Sequence, residues 1–388
     1  MPNLLIPKEI LPGETRVGAT PETVKRYVKD GFQVTVEAGA GVGASILDAD
    51  FEQVGATIAG DPAAAYAAAD ITLKVNPPAE RDDLGQHEIN LLGEGSILVS
   101  FLWPLQHLDL VQKLVGRKVT AFAMDQVPRI TRAQKMDALS SQANIGGYKA
   151  VILAAEHLPK IFPLLMTAAG TIKPAKVVIM GAGVAGLQAI ATARRLGAVV
   201  EVSDVRQAVQ EQVESLGGRF ISIETDEDLE DAGGYAKEQS AEFLARQQEL
   251  VRKHIVGADV VITTALIPGR PAPRLVTAEM VRDMKAGAVI VDMAVAQGGN
   301  CELSEKEQIV VKEGVTIIGY SNLPATVPFH ASDMYAKNIL DVVHLLYKKD
   351  AELELDFDDE ILAGAIVTHA GTVRMGAAAE AMQANQAG

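Results

Sequence analysis

The sequence holds a single cysteine, Cys301. No intramolecular disulfide can form, and such sparing use of thiols fits a reducing compartment. Long apolar runs are missing as well. The run from Ala286 to Ala296 is interrupted by Asp292 and is too short to span a membrane. The N-terminus lacks the basic-then-apolar pattern of a signal peptide. Positive charge is in short supply: 35 Lys and Arg against 50 Asp and Glu leave a formal charge of −15. That balance argues against nucleic acid as a partner and against unaided binding to an anionic membrane surface. Cys301, His157 and His254 are scattered without metal-ligand spacing, so no metal site is expected. There is no internal repeat, low-complexity tract or long linker. These absences describe a soluble, intracellular chain.

What is present points to alternating α/β structure. At 388 residues the chain is long enough for two domains, and 48% hydrophobic residues with 34 glycines suit buried parallel strands. Leu4–Ile6, Phe32–Val36, Ile71–Val75, Ile97–Phe101 and Val119–Ala123 read as strands, with helices over Pro21–Asp30 and His107–Gly116 between them. A second unit has strands at Asp259–Thr263, Ala288–Asp292 and Val315–Ile318. Two long helical patterns, about Ala133–Leu158 and Ser332–Lys348, join the units. In the first, the small residues Ala143, Gly146, Gly147, Ala150 and Ala154 allow another helix to come close. The expected architecture is two Rossmann-like doubly wound parallel-sheet domains joined by long helices, with a cleft between them. The N-terminal domain would comprise residues 1–132 plus 349–388, the tail packing back onto it, and the second domain residues 133–348.

The most informative segment runs from Val177 to Asp204. Four apolar residues read as a buried strand, Gly181-Ala-Gly183-Val-Ala-Gly186 opens a helix, and Ala198–Val202 reads as the next parallel strand. Gly181 permits a tight turn, Gly183 lets a pyrophosphate approach the backbone, and Gly186 lets the helix sit close on the sheet. The helix N-terminus offers unpaired N–H groups and the positive end of its dipole. Asp204 lies 18 residues past Gly186, where a carboxylate can accept hydrogen bonds from the adenosine ribose. A carboxylate there repels the 2′-phosphate of NADP, which favours NAD(H). Arg206 reads as a partner for the pyrophosphate or for Asp204. The other glycine-rich stretch, Gly39–Gly43, has no acid at a suitable distance and reads as a turn.

A second constellation occupies Pro128–Gln142. Thr131-x-x-Gln134 has the form of a capping box, Asp137 would fall in the first turns of the helix, and Arg129 could be a surface cation. The same spacing also puts Gln134, Asp137 and Ser141 on one helical face, with Arg129 just before it, where polar groups could meet a nicotinamide. Farther on, the acidic stretch Glu224–Gly234, ending in a glycine pair beside Tyr235, reads equally as a solvated loop or as a flexible flap.

With these residues in view, the whole chain resembles the NAD(H)-binding component of the proton-translocating nicotinamide nucleotide transhydrogenases, which share a superfamily with the alanine dehydrogenases. Pro7–Pro21 looks like the shared N-terminal signature and Gly181–Asp204 like the second. Arg129–Gln142 and Asp231–Glu238 are similar to the transhydrogenase branch in particular. The resemblance implies that Arg129, Gln134, Asp137 and Ser140 surround the nicotinamide, and that Gln134 also faces the nucleotide brought by a partner. It further implies an NAD site that includes Ile130, Thr131, Arg132, Val184, Asp204, Val205, Arg206, Gly234, Gln247 and Leu266, closed by a mobile loop carrying Tyr235.

The dehydrogenase alternative can be weighed by its chemistry. Reducing an imino acid needs a carboxylate clamp and a proton donor beside the nicotinamide. Arg16 and Lys74 match the clamp positions of the dehydrogenase pattern. Its histidine and aspartate positions, however, hold Trp103 and Ala296 here. An indole cannot shuttle a proton, and a methyl cannot orient one. A transhydrogenase needs neither, because hydride passes directly from NADH to NADP⁺ and catalysis is mostly positioning and exclusion of water. With one dinucleotide motif on the chain, NADP(H) would come on a partner subunit. The chain stops at Gly388 without membrane spans, so it resembles the arrangement in which the membrane-spanning and NADP(H)-binding parts are separate subunits. The resemblance implies a homodimer, cytoplasmic and held peripherally on the inner membrane through those subunits. A non-enzymatic NAD-binding module is the remaining alternative; nothing in the chain looks like an effector or DNA-binding segment.

Overall fold

A computed structural model describes residues 1–221, 241–266, 271–348 and 352–387. The chain divides into two units, Met1–Gln142 with Pro324–Gly388, and Ala143–Leu323. The expected boundaries, after residues 132 and 348, differ from this division. Ala133, Met136 and Ala138 pack into the core of the first unit, as do Tyr335, Ile339 and Val343 of the helix Pro328–Leu346. Apolar burial, rather than strand-and-helix counting, assigns these segments.

The first unit is built on an eight-stranded sheet. Its order is Thr372–Val373, Ile366–His369, Thr120–Ala123, Ile97–Ser100, Ile71–Leu73, Asn3–Ile6, Gln33–Glu37, Thr57–Ala59. The six strands from Thr120–Ala123 to Thr57–Ala59 run parallel, as their continuous apolar character requires. The tail adds the last two strands antiparallel, with Ile366 opposite Phe122 and Thr368 opposite Ala121. The tail thus joins the first unit as strands as well as helix.

Among the described residues the second unit carries a seven-stranded sheet. Its order is Arg219–Phe220, Val199–Ser203, Lys176–Met180, Val260–Thr263, Val289–Asp292, Val315–Ile318, Ile309–Lys312. All neighbours are parallel except the edge strand Ile309–Lys312, which pairs antiparallel with Val315–Ile318. From Lys176–Met180 the chain first builds outward to one side and then crosses to the other. The switch point therefore lies between Lys176–Met180 and Val260–Thr263, where an open α/β sheet leaves a crevice at its carboxyl ends. Both sheets are doubly wound, as the sequence pattern implies.

Of the two long helices, one spans Ala138–His157 and begins five residues later than the pattern suggests. The preceding segment Thr131–Met136 forms a 3-10 turn instead, with Ile130 at its N-cap and no side-chain cap. The capping box read at Thr131 and Gln134 is therefore not formed. Asp137 is the residue that starts the helix: its carboxylate accepts from the Ser140 backbone N–H at 2.9 Å and from the Ser140 hydroxyl at 2.6 Å. Among the described residues no helix is long and apolar enough to cross a membrane.

The small residues of this helix do permit close approach. A Cβ on Gly147 would lie 2.1 Å from the carbonyl oxygen of Ala185, in the helix Val184–Arg195. Gly147→Ala must push the two helices apart and is expected to cost about 1–3 kcal/mol or more, the usual range for overpacking. A lowered urea midpoint at unchanged m-value would show this; an unchanged midpoint would mean that the contact relaxes freely.

Candidate functional site

The glycine turn sits at the carboxyl end of Lys176–Met180, directly at the switch point. Gly181 takes φ 106°, a conformation that side chains rarely adopt. A Cβ on Gly186 would lie 1.9 Å from the Gly181 carbonyl oxygen, so only glycine lets the turn fold back on the helix. Gly183, by contrast, faces open space: a Cβ there would meet no described atom within 4 Å. Gly183 is the N-cap of Val184–Arg195, and no described side chain caps that helix. Its first-turn N–H groups thus have no described side-chain partner, an arrangement suited to an anion such as phosphate.

Asp204 follows the neighbouring strand Val199–Ser203 and reaches back to the turn. Its Oδ2 accepts from the Ala182 N–H at 2.7 Å, while Arg206 donates to the same carboxylate from its backbone N–H, Nε and guanidinium at 2.8, 3.1 and 3.1 Å. Burial pushes the carboxyl up, but the hydrogen bonds from Arg206 and the Ala182 amide outweigh it and leave Asp204 below the usual carboxylate range. It is therefore an anion at neutral pH. Of the two readings of Arg206, partner of Asp204 is the one its geometry displays. Three apolar side chains stand exposed nearby: Val184 at the helix start at 39%, and Val205 and Leu266 just past their strands at 92% and 49%. Gln247 lies on the helix Ala241–Val256, and its side chain is outside the described residues. Gly234, Tyr235 and the acidic stretch from Glu224 also lie outside them.

The other set of expected residues belongs to the first unit. Arg129, Thr131, Arg132 and Gln134 are exposed, Ile130 is half-buried, and Asp137 and Ser140 are joined by the hydrogen bonds that start the helix. Arg132 makes a two-point ion pair with Asp359 at 2.6 and 2.8 Å. Ser141 does not share a face with Gln134. It is buried, and its hydroxyl donates to Asn338 Oδ1 at 2.7 Å. A shared face requires one continuous α-helix, whereas Thr131–Met136 is a 3-10 turn with a different period.

Comparison with known proteins agrees over nearly the whole length. Residues 5–146 match the alanine dehydrogenase/PNT N-terminal domain, and residues 150–376 the alanine dehydrogenase/PNT C-terminal domain. The chain belongs to the alanine dehydrogenase/PNT family. A protein from Rhodospirillum rubrum, named as one part of NAD(P) transhydrogenase subunit alpha, is 51% identical over 373 residues, covering 95% of this chain and 97% of that protein. Alanine dehydrogenase 2 from Staphylococcus aureus is 32% identical over 332 residues, covering 83% of this chain and 81% of its own. The crystal structure of transhydrogenase from Sinorhizobium meliloti superposes with a TM-score of 0.86 at 44% identity, covering 96% of this chain and 99% of that one.

The family has two branches, so the residues that a substrate dehydrogenase would need matter. Arg16 is buried, donates twice to Glu14 from Nε and Nη2 at 2.8 and 2.7 Å, and reaches Gln142 Oε1 at 2.9 Å. Lys74 is 1% exposed and sits between Glu88 at 2.9 Å and Glu9 at 3.6 Å. Burial pushes its ammonium down, yet Glu9 and Glu88 more than reverse this and hold Lys74 above the ordinary lysine range. Both cations are therefore neutralised within the protein. Trp103, which the resemblance puts at the histidine position, adopts φ 49° and is held there by its backbone N–H, which donates to the Asp125 carboxylate at 3.1 Å. Its ring stacks on Phe101 at 5.8 Å. Ala296 is exposed on the 3-10 turn Val295–Gln297. Sequence reading missed the carboxylates that hold Arg16 and Lys74. Only Glu14, two residues before Arg16, had a local signal.

If Arg16 serves the fold, its removal should show in stability. Arg16→Ala removes the two-point ion pair with the buried Glu14 carboxylate and is expected to cost about 3–5 kcal/mol, measured by denaturant unfolding at pH 7. Burial pushes the Glu14 carboxyl up, but Arg16 and Asn76 overcome this and bring it down to about 2. Its contribution is then complete above the ordinary glutamate value and is lost as pH falls toward about 2. The wild-type advantage over Arg16→Ala should shrink across that interval; a constant difference would contradict the pairing.

Proposed function

We propose that the chain is the NAD(H)-binding component of a proton-translocating NAD(P) transhydrogenase. The observation that carries this reading is the uncapped helix start behind Gly181–Gly186 with the Asp204 anion beside it. The similarity to transhydrogenase subunits over almost the full length supports the choice of branch. The internally paired Arg16 and Lys74, together with Trp103 and Ala296, disfavour oxidation of a small amino acid.

In this reading the bound dinucleotide supplies a hydride at its nicotinamide C4, passed directly to NADP⁺ on a partner subunit. The residues of this chain bind, orient and shield. First-turn amides of Val184–Arg195 receive the pyrophosphate, Gly183 leaves room for it, and Asp204 accepts from the adenosine ribose after Arg206 yields part of its hold. Val184, Val205 and Leu266 cover apolar faces of the cofactor, with Gly234 and Gln247 completing its surroundings. Arg129, Ile130, Thr131 and Arg132 hold the nicotinamide end, Gln134 meets the incoming nucleotide, and Asp137 orients the Ser140 hydroxyl. Tyr235 closes over the cofactor on its loop. No proton changes hands at carbon, which agrees with a set of amides, hydroxyls and an arginine rather than a histidine.

The same reading places the chain on the cytoplasmic face of the inner membrane, held there by separate membrane-spanning and NADP(H)-binding subunits. It also includes a homodimer. Support for a second copy comes from the hairpin Leu165–Thr167 and Gly170–Ile172, where Met166 is 72% and Ile172 48% exposed. A two-stranded hairpin with exposed apolar residues is marginal unless another surface covers it.

Two measurements test the proposal. Calorimetric titration should show NADH binding in preference to NADPH, and Asp204→Ala should weaken NADH by about 1–3 kcal/mol, the range for hydrogen bonds to a charged group. Equal or tighter binding of NADPH would remove the assignment of Asp204 to the ribose. Stopped-flow single turnovers with the NADP(H)-binding partner should lose on the order of 10²-fold in rate for Gln134→Ala, as expected when reacting atoms are misplaced by ~1 Å. NADH affinity and melting temperature should hardly move, because Gln134 is exposed. Asp137→Ala should lose a helix cap as well, about 1 kcal/mol of stability. An unchanged transfer rate in Gln134→Ala would sink the proposed site.

A further inference from the structure

Two fully buried polar residues of the second unit, Asp292 and Asn300, take no part in the cofactor contacts above. Both are 0% exposed. The Asn300 side-chain amide pairs with the peptide of Ala265 like a neighbouring strand: Oδ1 accepts from the Ala265 N–H at 3.1 Å, and Nδ2 donates to the Ala265 carbonyl at 2.9 Å. The same Nδ2 donates to the Pro273 carbonyl at 2.8 Å. Asn300 thus clasps the chain on both sides of residues 266–272. Its own backbone is fixed in turn, its carbonyl accepting from Leu275 and Val276 and its N–H donating to Asp292 Oδ1 at 3.1 Å.

Asp292 is the anchor. Oδ1 also accepts from the Ala294 N–H at 3.0 Å and the Thr263 hydroxyl at 3.2 Å, and Oδ2 from the Cys301 N–H at 2.9 Å and the Ser304 hydroxyl at 2.7 Å. Five donors from the described residues meet one buried carboxylate, and together they offset the cost of burying it. A Cβ on Gly299 would come within 2.7 Å of Asp292 Oδ2, which shows how tightly the loop is drawn in.

The location gives this cluster a role. Thr263 ends the strand beside the glycine turn, and the Thr264 hydroxyl donates to the Met180 and Gly181 carbonyls at 3.3 and 3.2 Å. The stretch Thr264–Leu266 is therefore the wall of the switch-point crevice opposite Asp204. With the ribose anchor on the Val199–Ser203 side, the nicotinamide half of a dinucleotide must cross the crevice toward that wall. We infer that Asp292 and Asn300 are positioning residues that hold the Thr264–Leu266 wall for the nicotinamide half, and not for the adenosine half. This inference rests on the NAD(H) reading.

NADH and ADP-ribose, which lacks the nicotinamide and its ribose, separate the two halves. Calorimetric titration of the full chain should give wild-type binding of both. Asn300→Asp keeps the shape but replaces the Nδ2 donor to Ala265 and Pro273 with an acceptor oxygen. It should raise the Kd for NADH about tenfold, the equivalent of one or two lost hydrogen bonds, with ADP-ribose within about twofold of wild type. If Asn300→Asp fails to fold, Ser304→Ala removes a single donor to Asp292 and should change NADH binding in the same direction by about threefold, again sparing ADP-ribose. Equal losses for both ligands, or no loss in a folded variant, would overturn the positioning role. A wild-type chain that binds neither ligand would overturn the NAD(H) reading itself, an outcome distinct from any difference between variants.

Discussion

The contact between Gly186 and the Gly181 carbonyl is the constraint on which the second unit depends. With a Cβ at that position 1.9 Å from the oxygen, no other residue lets the helix start fold onto the strand end. That approach aims the uncapped amides of Val184–Arg195 over the crevice and brings Ala182 within reach of Asp204. It also leaves the Gly181 carbonyl able to accept from Thr264, which ties the turn to the next strand across the switch point. Local backbone geometry thus sets the distance between the two walls of the crevice.

The first unit solves a different problem, that of charge in an apolar setting. Lys74 with Glu9 and Glu88, and Arg16 with Glu14, are enclosed by strands and by Tyr335, whose hydroxyl donates to the Lys74 carbonyl at 2.8 Å. Tyr66 adds a hydrogen bond to Glu88 at 2.7 Å. Such groups are tolerated only when each charge has partners on the spot. Cations held this way cannot leave their carboxylates without stranding those charges in an apolar setting.

Much of this was legible in the sequence because it was local. Continuous apolar runs gave the parallel strands, and the glycine spacing with Asp204 located the crevice without any long-range information. The start of the Ala138–His157 helix is not legible, because Thr131 and Gln134 have capping-box spacing while Asp137 captures the Ser140 amide and takes over the start. The assignment of Pro328–Leu346 to the first unit was not legible either, since an amphipathic helix does not say which sheet it will cover. Asn300 carried no signal at all. Its partners Ala265 and Pro273 are 35 and 27 residues away, and only the folded chain brings them together.

The pairing of Ile366–His369 with Thr120–Ala123 has a consequence for the order of assembly. Residues 1–142 emerge from the ribosome long before the segment from Pro324 that completes their sheet and core. The unit Ala143–Leu323, by contrast, is continuous, so its core is complete as soon as its own segment has been synthesised. Contacts such as Val17 with Ser332, separated by 315 residues, close very large loops in the chain. Loop-closure entropy makes such contacts slow to form. The nucleotide-crevice unit is therefore free to mature first, and the N-terminal segment must wait, with part of its apolar surface uncovered, until the strands and helix beyond Pro324 have been made.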